Sequence, residues 1–250
     1  MVNEKSSLEF VNIFDLKQMG GIFSKNVKKD LFPIKDIENG YTCDKLLSVK
    51  EAEYLLNSAK NNKKQPVGVT GYLSEYKSGD IIGSYRSSIY NQKLADIIFE
   101  RIKAAYPSER SFINNNIDYD NSNDWVLSGV NPLFRFINYE DNGMLVPHYD
   151  APYIKDKNER TLVTLIIYLT TNLEDGATRF IKDKQSNITS SEKNFEDWKR
   201  LPFTEEIMVK VNPSIGNALL FDHRILHDSE KTIKNKMIIR TDLFFKRGLL

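Results

Sequence analysis

From Trp125 onward the chain is written in strand-length runs. Apolar and β-branched segments at about 126–130, 133–139, 161–170, 178–181, 206–211, 217–221 and 236–246 are separated by polar or Gly/Pro turns at Asp141-Asn142-Gly143, Glu174-Asp175-Gly176 and 212–216. Many short strands in close succession leave few ways to bury one face of each, and a sandwich or barrel is the expected solution. The polar stretch 182–200 is too long for a plain hairpin loop and is expected to form a mobile cover.

The first half has a different texture. Ser48 followed by Glu51 is a capping box, and Ala52, Leu55, Leu56 and Ala59 recur at helical spacing, with the polar 61–64 ending the helix. A second helix is expected from Asn91 to Tyr106, with Leu94, Ile97, Ile98, Ile102 and Ala105 on one stripe and Pro107 as its stop. Phe10, Val11, Ile13, Phe14 and Leu16 fit a strand or a helix equally, and Asn39-Gly40 marks a turn. Residues 66–87 read as loops and short strands, and 111–123 as loop. The expectation is one α+β domain over 1–250, mainly β: a helical support and substrate-side region over 1–125, and a β-core over 126–250.

Composition narrows the function. With 35 basic and 34 acidic residues the net charge is +1, which argues against a nucleic-acid partner. No apolar run approaches the ~18 residues of a membrane span. Cys43 stands alone, so no internal disulfide forms, and with no signal-peptide pattern a cytoplasmic location is expected.

The chain has three histidines, His148, His223 and His227. His148 and Asp150 are two apart at a strand end, so alternation puts both on one face. Two histidines and one carboxylate on one face of a metal leave the opposite positions open, which suits non-haem Fe(II). A lone His-x-Asp is weak evidence, because hydrogen-bonded His/Asp pairs are common. His223 and His227 also have the i,i+4 spacing of a zinc pair on a helix, but Pro213, Gly216 and Ala218-Leu219-Leu220-Phe221 favour turn and strand there.

The surroundings of these residues are more specific. Phe134-Arg-Phe-Ile-Asn-Tyr-Glu-Asp-Asn-Gly-Met-Leu-Val-Pro-His-Tyr-Asp150 resembles the prolyl 4-hydroxylase-like branch of the 2-oxoglutarate/Fe(II)-dependent dioxygenases. Arg160-Thr-Leu-Val-Thr-Leu-Ile-Ile-Tyr-Leu-Thr-Thr171 resembles the family's next strand. Asp175-Gly-Ala-Thr-Arg-Phe-Ile181 resembles its Gly-Gly-x-Thr-x-Phe turn, with Asp175 in place of the first Gly. Pro213-Ser-Ile-Gly-Asn-Ala-Leu-Leu-Phe221 with Leu226-His227 resembles the stretch carrying the distal His, and Lys236-Met-Ile-Ile-Arg-Thr-Asp242 the strand of the basic co-substrate partner. The resemblance covers about 130–246.

It implies a double-stranded β-helix (jelly roll, cupin-like) with N-terminal supporting helices, and iron ligation by His148, Asp150 and His227. His223 is left a structural role beside the ligands, as is Thr178. Halogenases related to this family lack the carboxylate, so Asp150 points to hydroxylation. For 2-oxoglutarate the resemblance offers Tyr139, Thr164 and one of two cations, Lys236 or Arg240. Lys236 stands nine residues after His227 and Arg240 thirteen. The guanidinium fork inclines the choice toward Arg240, with Lys236 in play. Arg86, Arg135 and Trp198 are candidate substrate contacts.

The activity implied is a 2-oxoglutarate-dependent hydroxylase using Fe(II) and O2, with ascorbate as a candidate reductant, acting on a small molecule such as an amino acid or its derivative. Peptidyl proline is the alternative substrate, and a non-catalytic metal-binding jelly roll the alternative class.

Overall fold

The computed structural model describes residues 21–24, 27–59, 65–66, 81–107, 125–189, 191–198 and 200–247. Phe10 to Leu16, the helix end at 61–64 and the loop at 111–123 lie outside them.

Helix α1, Val49–Ala59, starts at the capping box: the Ser48 N–H donates to Glu51 Oε2 (2.7 Å) and the Glu51 N–H to Ser48 Oγ (3.3 Å). Helix α2, Gln92–Ile102, is capped by Asn91 Oδ1, which accepts from the Leu94 N–H. It ends before the expected Tyr106, whose buried ring instead packs edge-on against Phe245 at 5.8 Å. The helices are joined by a buried ion pair, Arg101 to Glu51 at 2.5 Å.

Strands form most of the remainder. In chain order they are β1 Phe32–Pro33, β2 Tyr41–Cys43, β3 Gln65–Pro66, β4 Ile81–Tyr90, β5 Trp125–Val130, β6 Leu133–His148, β7 Glu159–Tyr168, β8 Thr178–Ile181, β9 Ile207–Val211, β10 Ala218–Asp222, β11 His227–Ser229 and β12 Lys236–Arg247. They hydrogen-bond in the order β1-β2-β10-β7-β12-β6-β11-β8-β9, with β4 on β6 and β5 on β12. The first half of β6 pairs with β12, and its last residues pair with β11. β6 therefore joins the β12 side of the sheet to its β11-β8-β9 side, and the whole curls into a jelly roll. Among the described residues no helix is long and apolar enough to cross a membrane.

Alternation sorts the side chains. On β7, Val163, Leu165 and Ile167 pack outward with Leu55, Leu94, Ile98 and Ile102 of the helices. Ile166 and Tyr168 face inward with Ile137, Tyr139, Phe180, Phe221 and Ile238. On β12, Met237, Ile239, Leu243 and Phe245 join the helix-side core, which leaves Lys236, Ile238, Arg240 and Asp242 on the inner face.

Several expectations are corrected. The turn at Asp141-Asn142-Gly143 is a bulge inside one long strand, since the β4 pairing jumps from Met144 to Tyr139 between Ile82 and Ser84. Asn142 adopts φ 66°, and the bulge is pinned by Asn142 N–H to Thr232 O (2.7 Å) and Thr232 N–H to Gly143 O (3.0 Å). Part of 66–87 is the ten-residue strand β4, and the N-terminal half supplies four strands as well as helices. The stretch 182–200 is folded against the β-core: Trp198 is buried and packs edge-on to Tyr149 at 4.7 Å, and Lys193 Nζ donates to the Tyr149 hydroxyl at 2.8 Å.

Candidate active site

The site is assembled where the end of β6 pairs with β11. His227 on β11 stands directly opposite His148 on β6, and the ring centroids are 4.3 Å apart. Directly opposed residues bring their side chains together by strand pairing alone. Asp150, two residues past the end of that pairing, turns back to them. Its Oδ1 lies 4.0 Å from His148 Nε2 and its Oδ2 3.7 Å from His227 Nε2. One potential ligand atom from each of the three lies within 4.8 Å of the others.

The backbone fixes the tautomers. His148 Nδ1 is 2.8 Å from Val146 O and His227 Nδ1 is 2.9 Å from Ile225 O. A carbonyl only accepts, so each Nδ1 carries a proton, and it is Nε2 that faces the Asp150 carboxylate and would offer the lone pair of the neutral ring. Burial, assisted by the neighbouring His148, pushes His227 down to about 3, so its ring is neutral at pH 7. Burial would raise Asp150, but the charge of Arg240 holds its carboxyl well below the usual range. Two neutral imidazole nitrogens and one ionised carboxylate are the protonation states a divalent metal requires. The donor set therefore fits Fe(II).

The neighbours hold this carboxylate. Thr164 Oγ1 donates to Asp150 Oδ2, and the Asp150 N–H donates to His223 O at 3.0 Å. Thr164, expected on the co-substrate, donates its hydroxyl proton to Asp150. The buried His223 ring faces Asp242 at 3.4 Å.

A cavity of about 250 Å³ opens beside the triad. Its walls include Tyr139, Ile166, Thr178, Ser229, Lys236 and Ile238, and the arginines Arg86, Arg135 and Arg240. Lys236 is fully buried: Nζ donates to Gly176 O (2.6 Å) and Ser229 Oγ (2.7 Å) and lies 4.7 Å from the Tyr139 ring centroid. Gly176 (φ 67°) brings its carbonyl there through a left-handed turn, and a Cβ on it would sit 3.2 Å from Lys236 Cδ. Burial pushes Lys236 down to about 7 and Tyr139 up to about 12, so Tyr139 stays a neutral phenol. Tyr168 Oη and Thr178 Oγ1 are 2.9 Å apart. Arg240 is engaged differently, with Nη2 3.0 Å from Asp150 Oδ1 and 3.1 Å from Asp242 Oδ1. Trp198 does not line this cavity. It borders a separate one with Pro147, Gln185 and Leu226.

Residues 134–241, from the start of β6 through Thr241, match the model of the 2OG-Fe(II) oxygenase superfamily. Over this core the chain is similar to that superfamily. The enzyme uses Fe(II), 2-oxoglutarate and O2. Among solved structures it is similar to a Pseudomonas putida prolyl-4-hydroxylase (12% identity, 84% of this chain and 94% of that chain, TM-score 0.48). It is also similar to a viral collagen prolyl hydroxylase from Paramecium Bursaria Chlorella virus-1 (16%, 85% and 99%, TM-score 0.45) and to HygX from Streptomyces hygroscopicus (10%, 85% and 84%, TM-score 0.46). Comparison with curated protein sequences finds no match.

The sequence reading of the oxygenase overlooked Ser229 and Asp242. Each stands two residues along a strand from a residue that reading had singled out, His227 and Arg240. The alternation that paired His148 with Asp150 would have found both.

Proposed function

We propose that this oxygenase hydroxylates an unactivated C–H bond of a small molecule, an amino acid or a derivative of one, with 2-oxoglutarate held between the triad and Lys236. The balance is R–H + O2 + 2-oxoglutarate → R–OH + succinate + CO2. His148 Nε2, His227 Nε2 and one Asp150 oxygen would hold Fe(II), which when bound supplies the O2-dependent decarboxylation and C–H oxidation.

The observation that carries this reading is the second pole of the cavity. Lys236 is fully buried with no carboxylate paired to it among the described residues, and two of its three donors are used by Gly176 O and Ser229 Oγ. A buried ammonium without an anion is costly, and the distal carboxylate of 2-oxoglutarate would supply one. Tyr139, held neutral by burial beside it, has a proton to donate to the same group. Arg240 is less suited, because its guanidinium already bridges Asp150 and Asp242. The cavity volume lies at or below the ~300–1,000 Å³ usual for small-molecule sites, which favours a compact substrate.

At saturating Fe(II) without O2, Lys236→Ala is expected to weaken 2-oxoglutarate binding at least 30-fold and Arg240→Ala less than fivefold. The reverse order would make Arg240 the partner. Unchanged affinity in both variants would remove the assignment of this pocket.

A further inference from the structure

Three guanidiniums share the triad's end of the cavity: Arg86 on β4, Arg135 on β6 and Arg240 on β12. The register makes them one cross-strand patch. Arg135 stands opposite Arg240 on one side and opposite Ser88 on the other, and Arg86 is two residues from Ser88 on the same face. Burial, and then the charges of Arg135 and Arg240, lower the pKa of Arg86. Lys236 lies four residues from Arg240 along β12, about 13 Å at strand rise.

Among the described residues there is too little negative charge for this patch. Asp242 takes Arg135 Nη1 at 3.2 Å and Arg240 Nη2 at 3.1 Å. Asp150 also meets Arg240, but its charge is committed to the metal. Arg86 has no hydrogen-bond or ion-pair partner among the described residues, and the buried Nε of Arg240 has no hydrogen-bond partner. With a metal in place, Asp242 is the one carboxylate among the described residues left to pair with this patch, and it meets Arg135 and Arg240 but not Arg86. The two carboxylates of 2-oxoglutarate are used at Lys236 and at the metal, so they do not relieve this excess. Guanidinium forks match planar oxyanions and form strong paired hydrogen bonds with them.

We propose that the substrate carries a carboxylate, and that Arg86 and Arg135, with Arg240 beside them, bind it and set the substrate class. This rests on the reading that Lys236 takes the distal carboxylate of 2-oxoglutarate. The anchored carboxylate would place the rest of a compact acid against the triad, and a neutral isostere would leave the patch uncompensated.

The test is anaerobic. Protein loaded with Fe(II) and 2-oxoglutarate is titrated with the proteinogenic amino acids and straight-chain dicarboxylic acids, with the amide and methyl ester of each, and with capped peptides bearing Asp or Glu. Perturbation of the visible charge-transfer band reads binding. At least one acid is expected to perturb the band, with its amide and ester at least tenfold weaker. Arg86→Gln and Arg135→Gln are each expected to weaken that acid at least tenfold more than they weaken 2-oxoglutarate. A response confined to the capped peptides supports the carboxylate site and places the carboxylate on a peptide side chain. Neutral compounds binding as well as acids, or no acid perturbing the band, overturns the proposal. A Lys236→Ala variant run alongside separates the two levels. If it loses 2-oxoglutarate while no acid responds, only the substrate class fails. If it keeps full affinity for 2-oxoglutarate, the underlying reading fails with it.

Discussion

Asp150 is aimed by the Thr164 hydroxyl, and Thr164→Val removes that donor while keeping the side chain's shape. Partners that orient a metal ligand typically contribute 10–100-fold to metal affinity. A fall of that size, measured by competition with a chromophoric chelator, is expected with the fold intact, and an unchanged affinity would show that Thr164 only fills space. Lys236 gives a pH dependence. Its free-protein pKa is lowered to about 7, and a bound carboxylate raises it again. 2-Oxoglutarate should therefore bind most tightly below pH 7. Its Kd should rise about tenfold per pH unit above 7 until the pKa of the complex is reached. A Kd flat between pH 6.5 and 8.5 would contradict this. His148 and Asp150 were legible in the sequence because period-two spacing survives into any strand. Lys236 and Arg240 could not be ranked, because the same spacing puts both on the inner face. Only the third dimension shows that one ends in a carbonyl-lined recess and the other on two aspartates.

At the scale of elements, the capping box, both helices and the strands of the C-terminal half were legible because local patterns determine them. Strand β4 was not: Ser84-Tyr-Arg-Ser-Ser-Ile-Tyr90 lacks a clean apolar alternation, and what makes it a strand is pairing along β6. The bulge at 141–143 has turn chemistry, and only the contacts with Thr232 keep the strand running past it. The joint between α1 and α2 depends on long-range pairing of Glu51 with Arg101, both buried. Arg101→Met is expected to cost about 3–5 kcal/mol because it strands a buried carboxylate, and adding Glu51→Leu should recover much of that loss. Urea unfolding of the two variants checks this. A double variant no more stable than the single one would show that packing, not the unpaired charge, sets the cost.

For the whole molecule, the curl of the sheet brings β6, β11 and β12 around one cavity, with the triad and Arg240 at one end and Lys236 at the other. A ligand set formed only on folding ties metal binding to stability. Fe(II) or Zn(II) at 100 times its Kd should add about 2.7 kcal/mol, a rise in Tm of about 5–10 °C that a chelator reverses. The most direct measurement is an anaerobic titration of Fe(II) and 2-oxoglutarate into the protein, following the visible charge-transfer band of the chelated 2-oxo acid. His227→Ala and His223→Asn are run beside the wild type. The expected result is a band in the wild type and in His223→Asn that is absent in His227→Ala. A wild type that binds metal but gives no band, or a band lost only in His223→Asn, would contradict the site described for this oxygenase.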